Sequence, residues 1–287
     1  MTSANSSVQQ DRHQASDVLV GPHWLATHLK DPEVHVIEVD VDPAAYNQGH
    51  ISGAVLWNVY RDLKDTGYRT VDRSVLTRLL ERSGIDNQST VVFYGYAPAF
   101  GFWLLKLYGH RDVRILDCSR QVWVDADLPW TAQVPTPRST GYRLPDAEAT
   151  IRAEEPAVRA AIGRTGTTIL DVRADPEFRG ERFWPSGGQQ ADGRAGHIPS
   201  AVNLSLDGIL DEQGRFRSET ELRAMFQPFA GTSSGVITYC TIGARASTAW
   251  FALTYLIGRD NVRVYDGSWA EWGLLPTAPV DRADQPH

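Results

Sequence analysis

Three blocks of this 287-residue chain occur twice, in the same order. "VHVIEVDVDPAAYNQGHISGAVLWNV" (34–59) returns as "TTILDVRADPEF…GHIPSAVNLSL" (167–206), each with an apolar run, Asp-Pro, and then Gly-His-Ile-x-x-Ala-Val. "TVVFYGY" (90–96) returns as "GVITYCT" (235–241), and "GHRDVRILDCS" (109–119) as "GRDNVRVYDGS" (258–268). Self-similarity at this spacing fixes the domain count before any other feature is read. It predicts two related domains, 18–130 and 156–282, joined by a linker, 131–155, that opens with the Pro/Thr/Ser-rich "TAQVPTPRSTGYRLPD" (131–146).

Within each copy, short β-rich runs alternate with helical patterns. The runs are Val36–Val39, Val91–Tyr94 and Val113–Leu116 in the first copy, and Thr168–Val172, Val236–Tyr239 and Val262–Tyr265 in the second. Between them, "DRSVLTRLLERSG" (72–84) has an Asp N-cap candidate and a Gly stop, and Ser218 with Glu221 forms a capping box ahead of "ELRAMF". Strand and helix in alternation predict an α/β fold, each domain a mainly parallel sheet flanked by helices on both faces.

A hydrophobic content of 42% with 22% charged residues describes a globular chain. A net charge of -7 argues against nucleic acid as a partner, because phosphate binding needs a clustered positive field. The polar start, "MTSANSSVQQDRHQASDV", lacks a signal-peptide core, and no run approaches the roughly 18 apolar residues of a membrane span, so a cytoplasmic location without membrane attachment is expected. Two cysteines make neither a disulfide framework nor a cysteine-rich zinc site, so each is judged by its setting.

The copies differ where chemistry belongs. Cys240 falls opposite Gly95, and the first copy has lost about four residues of the loop that runs from there to Asp117, the counterpart of Asp266. The second copy carries about 14 extra residues between Asp-Pro and Gly-His-Ile. With Cys240 at a strand's carboxyl end and a helix opening at Ala246, the loop Thr241, Ile242, Gly243, Ala244, Arg245 gathers backbone N–H groups at a helix N-terminus, which favours an anion. Gly243 permits the tight fold. The same field, with Arg245, would hold a cysteine as thiolate, the reactive species. A buried packing thiol is the competing reading, and the Gly and Arg that follow, with the helix pattern Ala249, Leu253, Leu256, Gly258 behind them, favour reactivity.

Together, Cys240-x-x-Gly243-x-Arg245, Leu170-Asp171-Val172-Arg173, Gly196-His197-Ile198-Pro199-x-Ala201-Val202 and Tyr265-Asp266-Gly267-Ser268-Trp269-x-Glu271-Trp272 resemble a two-domain rhodanese, a thiosulfate or 3-mercaptopyruvate sulfurtransferase, over about residues 20 to 280. The resemblance implies a ping-pong reaction. Cys240 takes the outer sulfur of a small anionic sulfane donor, keeps it as a persulfide, and passes it to a thiophilic acceptor such as cyanide, a thiol or a sulfur-accepting protein. It needs no metal or organic cofactor. Thr241 and Ile242 match neither the basic pair of thiosulfate-preferring members nor the small, Ser-containing pair of mercaptopyruvate-preferring ones, so the donor stays open.

Arg173 and Asp171 are read either as donor-binding groups or as an ion pair that fixes loops, and Arg179 and Arg182 as further cations or solvated charges. His50 and His197 recur in both copies, including the one without a nucleophile, so a structural hydrogen bond is expected of them. Cys118, beside Ser119 and Arg120, is expected to be structural rather than a second persulfide carrier. The tryptophans are mostly core, with Trp269 and Trp272 walling the pocket by analogy with the family. The insertion "ERFWPSGGQQADGRAG" (181–196) reads as a surface loop that either caps the cleft or is merely tolerated.

Two other functions compete. A cysteine phosphatase or arsenate reductase of related type spaces Cys and Arg by five residues, against four here. A non-catalytic rhodanese-like binding module would not keep the thiol. A tandem of two packed units is expected to suffice as a monomer.

Overall fold

The computed structural model describes residues 15–230 and 234–282, so most of the polar N-terminal stretch discussed above lies outside the described residues. Two five-stranded parallel sheets form the frame. The first contains β1 (Leu19–Val20), β2 (Val34–Asp40), β3 (Val55–Asn58), β4 (Thr90–Gly95) and β5 (Asp112–Leu116) in the order β1-β5-β4-β2-β3. The second contains β6 (Arg152–Ala153), β7 (Thr167–Asp171), β8 (Val202–Asn203), β9 (Gly235–Tyr239) and β10 (Val262–Tyr265) in the order β6-β10-β9-β7-β8. The two orders are the same, strand for strand, as the repeat requires. All pairings within these sheets are parallel.

Central strands of a parallel sheet are covered on both faces, which is why they read as unbroken apolar runs. In the first half, Val36, Val92 and Tyr94 join one core while Ile37, Val39, Val91 and Phe93 point into another. In the second half, Ile169, Ile237 and Tyr239 separate likewise from Leu170, Val236 and Val264.

The main helices are α1 (Arg73–Arg82), α2 (Pro98–Leu107), α3 (Glu219–Ala230) and α4 (Ala244–Phe251). Asp72 occupies the N-cap of α1 without a side-chain capping bond. Before α3 the Ser218–Glu221 box is formed in both directions. The helix α4 opens at Ala244, two residues before the expected Ala246, because Gly243 already serves as its N-cap, and it runs on as a π-turn through Ala252–Leu256.

α2 and α4 follow β4 and β9, so they are counterparts, and they pack against one another. Phe102 of α2 meets Phe251 edge-on with ring centroids 4.9 Å apart, and Tyr255 at 5.1 Å. The result is one apolar core that runs through both halves, from Ile37 and Phe93 to Val236 and Val264. No helix among the described residues is long and apolar enough to cross a membrane.

The connecting segment is docked on the first half. Thr140 Oγ1 donates to the Ile85 carbonyl at 2.5 Å, Tyr142 Oη lies 2.7 Å from His110 Nδ1, and Arg73 donates to the carbonyls of Leu144 and Pro145. The second sheet begins with β6, inside the 131–155 stretch read as linker. A strand of two residues has too little periodicity to stand out from a polar, proline-rich sequence.

Truncating a ring in the shared core should be felt by both halves. Phe102→Ala is expected to cost about 3–5 kcal/mol, measured by urea denaturation, with tryptophan signals from both halves lost together in one transition.

Candidate active site

Cys240 follows the last residue of β9, and its loop is shaped from below by the segment after β10. Gly243 lies in left-handed space at φ 90°, and a Cβ there would stand 2.8 Å from the Asp266 carbonyl oxygen, so only glycine fits. Its N–H donates to Cys240 Sγ at 3.1 Å. Ser268, itself at φ 53°, accepts the Cys240 N–H through Oγ at 3.1 Å and donates to the Tyr265 carbonyl. Trp269 and Ala270 donate to the carbonyls of Cys240 and Thr241 at 2.9 and 2.8 Å. With those carbonyls tied down, the N–H groups of Thr241, Ile242, Ala244 and Arg245 have no acceptor among the described residues. This is a cradle of donors around one sulfur.

The sulfur is at the floor of a cleft of about 450 Å³. Cys240 is only 1% exposed, yet it lines this space together with Thr241, Ile242, Ala244 and Arg245. The opposite wall comes from the first half, where Val41, Tyr60 and Tyr96 follow the carboxyl ends of β2, β3 and β4, and Tyr68 joins them. Trp184, Pro185 and Ser186 of the insertion also line the cleft.

Arg245 is held by a partner that sequence reasoning missed. Its guanidinium makes a two-pronged pair with the fully buried Glu177, at 2.9 and 2.8 Å, and also donates to Thr241 Oγ1 at 2.7 Å. Thr241 in turn donates to Glu177. Burial opposes charge on both groups. The mutual hydrogen bonds outweigh it, holding the Glu177 carboxyl below its ordinary range and the guanidinium above its own, to which the Cys240 charge adds. Glu177 had a legible signal: it stands opposite Ala44 in the first copy, so the carboxylate is present only in the copy that has the arginine.

Asp266 anchors the platform. Its carboxylate accepts from Thr70 N–H at 2.8 Å and from Arg152 at 2.8 and 3.1 Å, while Lys64 Nζ donates to its carbonyl at 2.7 Å. Lys64 is buried, over the Phe100 ring, and burial brings its pKa down to about 8 despite the charges of Asp266 and Cys240.

Several candidates take other places. Arg173 and Asp171 do not reach the cleft. Both are completely buried and paired with each other at 2.6 Å, and Arg173 also donates to the Gly196 carbonyl and lies over the Trp269 ring. The first copy repeats this arrangement, with Arg120 bonded to Glu38 and to the Gly49 carbonyl, although it has Gly95 where the second has Cys240. The pair is architecture that a strand-end Asp-x-Arg cannot reveal. Trp269 and Trp272 are core residues, fully buried, not cleft walls. Arg179 pairs with Asp175 at the surface, and neither it nor Arg182 lines the cleft.

His50 and His197 behave alike. Each stacks on an aromatic ring at 3.8 Å, Tyr46 or Phe178, and its Nδ1 lies 2.9 Å from that residue's carbonyl. Burial, with Asp117 adding, pushes the Cys118 thiol up to about 11, which leaves it protonated at neutral pH. Opposite Cys240, Gly95 is at φ 106°, and a Cβ there would lie 2.9 Å from the Val39 carbonyl oxygen.

Comparison with known proteins agrees with this geometry. The rhodanese-like domain profile matches residues 21–126 and 155–274. The sulfur carrier protein TtuD of Thermus thermophilus is 38% identical over 279 residues, covering 94% of this chain and 98% of that one. A Haloferax volcanii protein named "Putative thiosulfate sulfurtransferase" is 40% identical over 286 residues, with the same coverage. Among solved structures, YnjE superposes with a TM-score of 0.80 at 27% identity, over 93% of this chain and 68% of that one.

Two outcomes are expected. Glu177→Gln leaves a largely buried guanidinium without its carboxylate and should cost about 3–5 kcal/mol. Because the Glu177 pKa is depressed, that difference should be present above its unfolded value of about 4.5 and vanish as pH falls through the folded one, read from urea midpoints against pH. For Lys64, whose pKa is lowered, the unfolded chain binds more protons between about pH 8 and 10.5. The stability of the wild type relative to Lys64→Met should therefore rise across that window.

Proposed function

The chain belongs to the rhodanese-like family and is a sulfurtransferase, and from that premise we propose that Cys240 carries the transferred sulfur as a persulfide. The proposed catalytic domain is 156–282, with 18–130 its unarmed partner. The observation that carries the reading is the Gly243 N–H on Cys240 Sγ, within a loop of unpaired amides that opens on the cleft.

In the first half-reaction the Cys240 thiolate attacks the outer sulfur of a sulfane donor such as thiosulfate. A new S–S bond forms as the old one breaks, and its electron pair leaves with sulfite. The charge that the thiolate brought leaves with the sulfite, and the terminal sulfur keeps the negative charge it had in thiosulfate. The amides of Thr241, Ile242, Gly243, Ala244 and Arg245 are suited to hold that charge without reorganising, because the helix behind them fixes their direction. In the second half-reaction an acceptor thiolate or cyanide attacks the terminal sulfur and Cys240 returns as thiolate. Arg245, its charge balanced by Glu177 and its guanidinium bonded to Thr241, braces the loop in this shape.

The same pair weighs against phosphate chemistry. A phosphatase arginine offers its two-pronged face to the substrate, and here that face is taken by Glu177.

After incubation with thiosulfate, intact-mass measurement should show one added sulfur atom and the medium should contain sulfite. Loading is expected to disappear in Cys240→Ser and persist in Cys118→Ser. Phosphate release from an aryl phosphate without sulfur loading would replace this reading.

A further inference from the structure

The cleft is far larger than the smallest sulfur acceptors need. Its 450 Å³ lies in the range of sites for organic ligands, whereas one water fills about 30 Å³ and cyanide is of similar size. Its wall is made of rings: Tyr60, Tyr68, Tyr96 and Trp184. Tyr60 and Tyr96 are 45% and 54% exposed, an unfavourable state for aromatic surface that a bound apolar group would relieve.

The tilt and position of these rings are built in. Tyr68 sits in left-handed backbone at φ 63°, a costly conformation for a residue with a Cβ, inside a turn fixed by Asp65, which accepts from the N–H groups of Gly67 and Arg69. The turn brings the Tyr68 ring within 5.8 Å of Trp184, whose Nε1 is in turn held by Gln190. The hydroxyls of Tyr60, Tyr68 and Tyr96 have no hydrogen-bond partner among the described residues. Charge is scarce on this wall. Arg245 is the one charged residue that lines the cleft among the described residues, and Glu177 already neutralises it.

We propose that the acceptor in the second half-reaction is an organic thiol with an uncharged, ring-bearing or otherwise apolar body. The body lies against Tyr60, Tyr68, Tyr96 and Trp184, and its sulfur meets the persulfide on Cys240. This rests on the persulfide reading above. In the transfer the acceptor thiolate forms a bond to the terminal sulfur, the Cys240 S–S bond breaks, and its electron pair stays on Cys240. The products are an organic persulfide and the free thiolate. A thiol bearing a carboxylate would enter without an unpaired cation to meet it, and a very small one would leave the rings uncovered.

The test uses the full chain, loaded with thiosulfate and shown by mass to carry the added sulfur. Discharge is then followed with benzyl mercaptan, 2-mercaptoethanol and 3-mercaptopropionate, each rate being divided by that thiol's rate with a small-molecule persulfide in solution. Benzyl mercaptan should lead 2-mercaptoethanol by about tenfold or more in kcat/KM, with 3-mercaptopropionate last. In Trp184→Ala and Tyr68→Ala the benzyl advantage should shrink several-fold. As a measurement independent of any variant, benzyl alcohol should inhibit discharge competitively. Equal normalised rates, a lead for 3-mercaptopropionate, or no inhibition by benzyl alcohol would overturn the acceptor assignment alone. Absence of loading in the first step would instead overturn the persulfide reading.

Discussion

A single buried carboxylate, Asp266, connects nearly everything that matters in this molecule. From the first half come Lys64 and the Thr70 amide, and from the start of the second comes Arg152. Its backbone presses on Gly243, and two residues later Ser268 holds the Cys240 amide. Asp266 is therefore at once a joint between halves and the footing of the Cys240 loop. Burial alone would raise its pKa, but Lys64 and Arg152 keep it in the charged form. A buried charge with this many partners defines one arrangement and penalises every other, since any shift that breaks a bond leaves a charge uncompensated.

The repeat separates architecture from chemistry. Features present in both halves are the buried acid–arginine pair bonded to the Gly-His-Ile glycine, the histidine stacked on a ring, and the tyrosine hydroxyl that accepts the following isoleucine's N–H, Tyr94 with Ile51 and Tyr239 with Ile198. These hold the strand ends and loops of both halves. Features confined to the second half are the thiol, the Gly243 turn, and the Glu177–Arg245 pair. Without the comparison, both Arg245 and, second to it, Arg173 look suited to an anion. With it, Arg173 is a rivet and Arg245 the one that lines the cleft.

The three central strands of each sheet were legible because duplicated apolar runs bounded by turn residues leave little choice in a parallel α/β fold, whereas the two-residue edge strands β1, β6 and β8 carry too short a pattern to read. Cys240 and its loop were legible because a Gly at left-handed φ and an Arg at fixed spacing are local signals. What escaped was non-local. Glu177 lies 68 positions from its arginine and the aromatic wall belongs to the other half, so neither can be placed until the sheets are stacked. Tyr96 stands opposite Thr241 in the repeat, the one hint that the first half turns its own strand ends toward the cleft.

Gly95 keeps the two halves from being interchangeable. Where the second half has its thiol, the first has a backbone twisted into a form that a side chain resists, pressed against the Val39 carbonyl. A change to cysteine there would not reproduce the other half's loop, because the main chain would first have to untwist. What this half offers the cleft is therefore a wall of rings, Tyr60, Tyr68 and Tyr96, rather than a sulfur.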